Sequence, residues 1–122
     1  MAKILKATKP YTIYYDDGSI EEKGFKDSEG NQQGRVVRYF PSGQMQFEGE
    51  YDSEKGVQGY KWYFEDGNLD RESIVDLDEP YDEKFTKYRE NGTIEQIIYW
   101  LNDNMEKIID YDEDGNTKEW SP

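Results

Sequence analysis

The chain has 122 residues, a formal net charge of −13, and neither cysteine nor histidine. A chain of this length forms one domain or one short array of repeats. Without Cys and His it has no disulfides, zinc fingers, thiol nucleophile or histidine-based triad. Its charge disfavours nucleic acid and anionic membranes as partners and favours a basic protein.

Aromatic side chains are the unusual part of the composition. Only 34% of the residues are hydrophobic, yet 16% are aromatic, including 11 tyrosines. Low apolar content with high net charge is typical of disordered chains. Each aromatic ring buries a large area, however, without needing aliphatic neighbours. The composition therefore favours a folded chain held by aromatic contacts.

A short motif repeats along the whole chain. Five glycines are spaced by 23 to 25 residues: Gly18, Gly43, Gly67, Gly92 and Gly115. A tyrosine stands four residues before each of them: Tyr14, Tyr39, Tyr63, Tyr88 and Tyr111. An apolar residue follows two positions after each of the first four glycines: Ile20, Met45, Leu69 and Ile94. Such regularity predicts five copies of one structural unit.

Each copy has the pattern of a β-hairpin. The residue before the glycine is Asp or Asn in four copies: Asp17, Asp66, Asn91 and Asp114. Asp-Gly and Asn-Gly pairs are typical of a two-residue type I′ turn, in which both central residues have positive φ. We predict an all-β fold, an antiparallel meander of about five hairpin repeats forming an elongated curved sheet. One domain, 1–122, would contain repeats near 11–34, 35–59, 60–84, 85–107 and 108–120.

A two-residue turn also predicts which side chains share a face. Side chains three, five and seven positions before the glycine would lie on the same face of the sheet as those two, four and six positions after it. In the second copy this core face would hold Phe40, Val36, Met45 and Phe47. The opposite face would carry the tyrosines as a ladder, set across from mostly acidic residues: Glu21, Gln46, Asp70, Glu95 and Lys118.

The tyrosine ladder has two interpretations. Cross-strand aromatic contacts would stabilise a thin sheet. Tyrosine is also enriched at binding hot spots. We therefore name Tyr63 and Tyr88, with Asp70 and Glu95 beside them, as candidate partner-binding residues.

The segment 76–83, between the third and fourth copies, is rich in carboxylates. Its candidate partner-binding residues are Asp76, Asp78, Glu79, Tyr81, Asp82 and Glu83. The carboxylates could form an acidic prong that pairs with Lys or Arg of a partner, with the tyrosine as an apolar anchor. The alternative is an ordinary solvated loop, which is what most charge runs are.

One segment, 94–110, also fits a helix. Its apolar residues follow helical spacing, and Thr93 with Gln96 resembles a capping box. Against a helix, Tyr111 keeps the repeat register, and 102–104 falls where the other copies break between hairpins. The hairpin interpretation is favoured.

The remaining motifs point away from metal sites and catalysis. The run 110–115 imitates the start of a calcium loop, but Ser121 occupies the position that requires an acidic ligand. The glycines sit singly in turns, so no phosphate-binding loop is present. With only carboxylates, tyrosines and lysines to supply chemistry, we predict no enzyme, no metal and no cofactor.

The unit at 59–69, GYKWYFEDGNL, resembles the MORN-type repeat. More specifically it is similar to the bacterial variant found in the YwqK-like antitoxin family, in which an aromatic pair precedes the Gly turn and an apolar residue follows it. The resemblance extends over about 11–120. It implies hairpins stacked into a curved, elongated sheet, and a small protein that neutralises a toxin by binding it. Eukaryotic MORN proteins are instead linked to scaffolding and membrane lipids.

These observations lead to three functional hypotheses. The first is an immunity protein or antitoxin that occludes a basic toxin, for example a nuclease. The second is a non-enzymatic scaffold or adaptor, with self-association through exposed edge strands. The third is carbohydrate binding by exposed aromatic residues. The start MAKILKATKP lacks the apolar run of a signal peptide, and no stretch is long enough to span a bilayer, so we expect a cytoplasmic protein.

Overall fold

The computed structural model describes residues 8–75 and 80–121. Its first five strands are β1 (Thr8–Tyr14), β2 (Ile20–Asp27), β3 (Gly34–Tyr39), β4 (Met45–Asp52) and β5 (Gly56–Tyr63). The next five are β6 (Leu69–Val75), β7 (Glu83–Tyr88), β8 (Ile94–Leu101), β9 (Asn104–Tyr111) and β10 (Thr117–Trp120).

All ten strands form one antiparallel sheet in the order in which they occur along the chain. The sheet is open, since β1 and β10 lie at its two ends. The predicted all-β meander of five hairpins is therefore confirmed. A helix over 94–110 is wrong, because that segment forms β8 and β9. Across 8–75 and 80–121, no helix is long and apolar enough to cross a membrane.

The five tight turns share one hydrogen-bond pattern, which is not the predicted type I′ turn. In the first turn the Gly18 N–H donates to the Tyr15 carbonyl (2.9 Å), and the Tyr15 N–H donates to the Ser19 carbonyl (2.8 Å). The glycine has φ 90°, whereas Asp17 is not among the residues with positive φ. This is a three-residue loop, a type I turn followed by a left-handed glycine.

The preference for Asp or Asn before the glycine has a different cause from the one predicted. The Asp17 carboxylate accepts a hydrogen bond from the Ser19 backbone N–H at 2.8 Å. Asp66 and Asn91 do the same for the residue two positions on. The side chain therefore caps the turn, as short polar side chains commonly do, and needs no positive φ.

A type I′ turn does occur, between β8 and β9. Its central residues, Asn102 and Asp103, have φ values of 51° and 64°. Leu101 pairs with Asn104 directly across the turn. It connects the fourth hairpin to the fifth, where the other connections between hairpins are longer.

A β-bulge follows each of the first four tight turns and sets the faces of the sheet. In the first hairpin Tyr14 pairs with Ile20 and Ile13 pairs with Glu22, so Glu21 has no direct partner. Opposed residues in an antiparallel pair project to the same face. Each repeat tyrosine therefore shares its face with the apolar residue two positions after the glycine. The prediction that these two positions lie on opposite faces is wrong.

We name the two faces by their aromatic residues. The tyrosine face carries Tyr39, Tyr63 and Tyr88 with their cross-strand partners Met45, Leu69 and Ile94. The tryptophan face carries Phe47, Trp62 and Tyr60, with Phe47 directly opposite Trp62. The prediction that positions five and seven before the glycine lie with positions four and six after it is correct, because the bulge precedes those positions.

Burial in this sheet comes from neighbours along the sheet. Val36 and Val37 are adjacent and point to opposite faces, yet both are almost fully buried, with 1% and 3% of their surface exposed. Only Phe47 and Ile97 join them as buried apolar residues in the described part of the chain. Each face is therefore covered by long side chains of the adjacent strands.

Two glycines inside strands let aromatic rings lie close to the sheet. A Cβ atom at Gly49 would lie 2.8 Å from the Phe47 ring. At Gly24 it would lie 3.0 Å from the Tyr11 hydroxyl and from a Val36 methyl group. Rings lying over glycine shield the strand backbone, as in other sheets where an aromatic residue covers a glycine.

The turn geometry predicts opposite effects for two matched substitutions. Asp103→Gly places glycine at a left-handed position of the type I′ turn and should stabilise the protein by about 0.5 kcal/mol. Asp114→Gly also removes an exposed turn aspartate, but at a position without positive φ, and should destabilise by about 0.5 kcal/mol. Urea unfolding of both variants measures the difference. Equal effects of the two substitutions would contradict the turn assignment.

Candidate functional site

Three of the five repeat tyrosines contact the preceding hairpin. The Tyr63 hydroxyl donates to Glu48 at 3.1 Å, and the Tyr88 hydroxyl donates to Glu72 at 3.0 Å. The Lys23 ammonium group lies 5.7 Å from the centre of the Tyr39 ring. In each case the partner residue lies five positions after the glycine of the previous hairpin. The two candidate tyrosines are thus half-buried structural residues, and a role in partner binding stays a prediction.

The pKa values of the two hydrogen-bonded tyrosines are raised. Burial, and then the hydrogen bond and charge of Glu48, raise the pKa of Tyr63. Burial, and then Glu72, raise the pKa of Tyr88 in the same way. The guanidinium of Arg35, 2.8 Å from the Glu48 carboxylate, is the main reason that the pKa of Glu48 is lowered.

The candidate residues Asp70 and Glu95 lie on the tryptophan face, at the bulges, and the prediction that they face the tyrosine ladder is wrong. The Lys87 ammonium group is 3.3 Å from Asp70 and 3.9 Å from Glu95. Lys87 is directly opposite Arg71 in the sheet. Since like charges opposite each other are unfavourable, the two carboxylates offset this pair.

The acidic segment 76–83 is only partly described: Asp76, Asp78 and Glu79 lie outside the described residues. The Tyr81 ring packs against the Tyr99 ring, with ring centres 4.7 Å apart. Asp82 accepts a hydrogen bond from the Asn102 backbone N–H at 2.7 Å, and Glu83 accepts one from the Ser73 hydroxyl at 2.6 Å. These three side chains therefore have partners within the chain and fix the start of β7.

A second group of carboxylates lies along the side of the sheet that carries the tight turns. We call it the acidic turn row, and it comprises Asp16, Asp17, Glu65, Asp66, Glu90, Asp112, Glu113 and Asp114. All of these residues are exposed. None of them forms an ion pair with a Lys or Arg of the described residues. We did not predict this row from the sequence, although an acidic residue recurs two positions before four of the repeat glycines: Gly18, Gly67, Gly92 and Gly115.

A cleft of about 600 Å³ opens on the tryptophan face beside the third turn. Aromatic side chains of Phe40, Trp62 and Phe64 line it. Carboxylates of Glu65, Asp66, Asp70 and Glu90 complete its wall, and no basic residue is part of it. We call it the aromatic cleft.

A smaller depression of about 300 Å³ lies elsewhere, around Arg35, Glu48, Lys61 and Ile74. It carries both signs of charge, and Arg35 pairs with Glu48 within it. The aromatic cleft differs from it in carrying only negative charge.

The described residues offer no convergent metal site. Across 8–75 and 80–121, no group of three or more acidic side chains is placed to hold an ion. In the calcium-like run, the Asp112 carboxylate accepts hydrogen bonds from the backbone N–H groups of Asp114 and Asn116, both at 2.9 Å. That carboxylate therefore stabilises the fifth turn.

The hydrogen bond of Tyr88 predicts a stability effect with a matched control. Tyr88→Phe removes the donor to Glu72 from a half-buried site and should cost about 1 kcal/mol. Tyr14→Phe changes the same repeat position in the first hairpin, where the ring is 60% exposed and no hydrogen bond is made to a described residue. It should change stability by less than about 0.5 kcal/mol. Chemical denaturation compares them, and equal losses would contradict the structural role of Tyr88.

The tyrosines also predict a loss of stability at alkaline pH. The pKa values of Tyr11, Tyr60, Tyr63 and Tyr88 are all raised from 10.0, chiefly by burial. A raised folded-state pKa stabilises the protein fully below the ordinary value, and this contribution is lost as pH rises through the folded-state pKa. The urea midpoint should fall above about pH 10, and Tyr63→Phe/Tyr88→Phe should flatten that fall. An equally steep fall in the double variant would show that other groups cause it.

Comparison with known families agrees with the hairpin repeat. A family described as the MORN repeat variant matches residues 32–53 and 60–75. No curated protein matches the chain significantly. The first segment spans β3 and β4, and the second covers the second half of β5 together with β6. The second and third hairpins of this chain are thus similar to the MORN repeat variant.

Proposed function

We propose that the protein is a non-enzymatic binding repeat whose partner is a basic protein, contacted through the acidic turn row. The observation that carries this proposal is the row of exposed carboxylates without ion pairs in the described chain. In its specific form, the proposal is an immunity protein or antitoxin that occludes a basic toxin, such as a nuclease, in the cytoplasm.

The meander concentrates this charge in one place. Consecutive hairpins bring every tight turn to the same side of the sheet, and acidic residues occupy four of the five turns. In the isolated protein these like charges repel each other, and a cationic surface would relieve that repulsion. Such a row also steers a basic partner and speeds its association.

The matches to the MORN repeat variant also support a binding role. MORN repeats are often protein-binding repeats, and a single-layer sheet leaves both faces and both sides available for contact. An active site would need convergent groups of matched pKa. The titratable residues with shifted pKa values in the described part are instead accounted for by burial and by inter-hairpin or turn contacts.

The second candidate is a scaffold that self-associates through its edge strands, as an open sheet permits. Both described edges carry features that oppose pairing with another chain. β1 contains Pro10, which lacks a backbone N–H, and β10 has only four residues. These features favour a partner at the turn row. Sedimentation analysis would show a concentration-dependent dimer if self-association is the function.

The proposal predicts a charge-dependent complex. The tagged full-length chain should capture a basic protein from its native host, and that protein should arrest growth when expressed without the present chain. Asp16→Lys/Glu113→Lys should slow association by about tenfold at low ionic strength and by less at high salt. Surface plasmon resonance with the captured protein measures the rates.

A matched control changes the charge equally away from the row. Glu29→Lys/Glu50→Lys alters two exposed acidic residues, one in the connection between β2 and β3 and one in β4, outside the five tight turns, and should slow association much less. Equal slowing by both pairs would show that only net charge matters and would contradict the turn row as the contact. A reversal variant of Asp76, Asp78 and Glu79 tests the acidic segment in the same assay. Capture of a non-toxic basic protein would exclude the immunity role while leaving the binding role.

A further inference from the structure

The second and third turns differ from the others in the residue three positions before the glycine. In the first and fourth hairpins this residue is polar and donates to a backbone carbonyl of the next hairpin: Tyr15 to Tyr39, and Arg89 to Tyr111. In the second and third hairpins it is Phe40 and Phe64. A phenylalanine cannot donate such a bond, so these two rings instead form apolar walls of the aromatic cleft.

The cleft is held open by contacts within the sheet. Trp62, which lines the cleft, packs against Phe47 with ring centres 4.7 Å apart. The Asn68 amide donates to the Glu90 carbonyl at 3.0 Å, which holds the fourth turn beside the third. The cleft therefore belongs to the rigid repeat and does not depend on a loop closing over it.

The carboxylates of the cleft differ in how far they are already satisfied. Asp70 is engaged by Arg71 and Lys87, at 3.5 and 3.3 Å. Glu65 and Glu90 are exposed and make no side-chain hydrogen bond or ion pair with described residues. Two available carboxylates thus lie at the rim of a cleft walled by aromatic rings.

We propose that the aromatic cleft receives an arginine side chain of the basic partner, so this inference rests on the proposed function. A guanidinium group is planar, so it stacks on aromatic faces and pairs with carboxylates through two parallel hydrogen bonds. An ammonium group is a point charge that can lie over a ring but neither stacks nor pairs in this way. Phe40, Phe64 and Trp62 supply the apolar surfaces, and Glu65 with Glu90 supply the charge. The cleft volume of about 600 Å³ is typical of ligand pockets and leaves space for the arginine stem.

Three peptides test the cleft directly: acetyl-Gly-Arg-Gly-amide and its lysine and citrulline analogues. Citrulline has nearly the same shape as arginine but is neutral and carries an acceptor oxygen in place of one NH2 group. It therefore reports the charge together with the paired hydrogen bonds. NMR titration of the full chain should show the Trp62 indole N–H and the amides of Phe64 and Glu90 shifting with the arginine peptide, with affinity in the millimolar range. The lysine peptide should bind about threefold more weakly, and the citrulline peptide should give no saturable shift.

Two variants test the two parts of the cleft separately. Glu65→Gln/Glu90→Gln should weaken the arginine peptide about fivefold. Phe40→Leu/Phe64→Leu keeps apolar volume but removes the ring faces, and should weaken it about threefold. Glu29→Gln/Glu50→Gln, outside the cleft, is the charge-matched control and should leave the affinity unchanged. Each variant must retain the dispersed spectrum of the folded sheet.

Two results would contradict the proposal that the cleft binds arginine. One is equal shifts at all five turns, reduced alike by the cleft and control variants, which would indicate diffuse charge attraction. The other is equal binding of the arginine and citrulline peptides. The proposed function is tested separately. Capture of a basic partner, without arginine binding in the cleft, would support the proposed function and contradict the cleft proposal. Arginine binding without capture of a basic partner would support only the cleft proposal.

Discussion

Contacts between neighbouring hairpins hold this protein together, because the described chain has no second layer to cover its sheet. Across the boundaries between hairpins, the tryptophan face pairs Glu22 with Arg38 at 2.6 Å and Phe47 with Trp62 at 4.7 Å between ring centres. On the other face, Tyr63 and Tyr88 donate hydrogen bonds to the preceding hairpin. Each hairpin is thus stabilised by its neighbours, as in other linear repeat proteins.

This arrangement explains how a chain with few aliphatic residues folds. An aromatic side chain covers a wide area of a strand and can still direct a hydroxyl group to a polar neighbour. Tyr11 shows both effects, since its ring lies against Gly24 and its hydroxyl donates to the buried Glu22 at 2.8 Å. That carboxylate also accepts from Arg38, so burying its charge is compensated.

The dependence of each hairpin on its neighbours also determines where groups remain available for binding. Side chains at the inter-hairpin contacts are occupied, whereas the turns project beyond the strands and carry carboxylates that form no ion pair with described residues. Only at the second and third hairpins does a change from a polar residue to Phe40 and Phe64 remove a backbone contact and open a cleft between turns. Variation at one repeat position therefore converts a structural contact into a candidate binding site while the sheet is retained.

The sequence by itself determined the repeat, the five hairpins and the strands over 94–110, because glycine spacing and the position of the tyrosines are local properties of the chain. It wrongly separated the repeat tyrosines from the residues two positions after the glycine, which share a face. An Asp-Gly pair fits a type I′ turn as well as a type I turn with a capping aspartate, and a bulge one residue later reverses which side chains meet. Only the tertiary structure decided that Asp70 lies beside Lys87, that Glu83 accepts a hydrogen bond from Ser73, and that Glu65 and Glu90 line the same cleft. The physical reason is that residues from different hairpins become neighbours only when the strands between them pair.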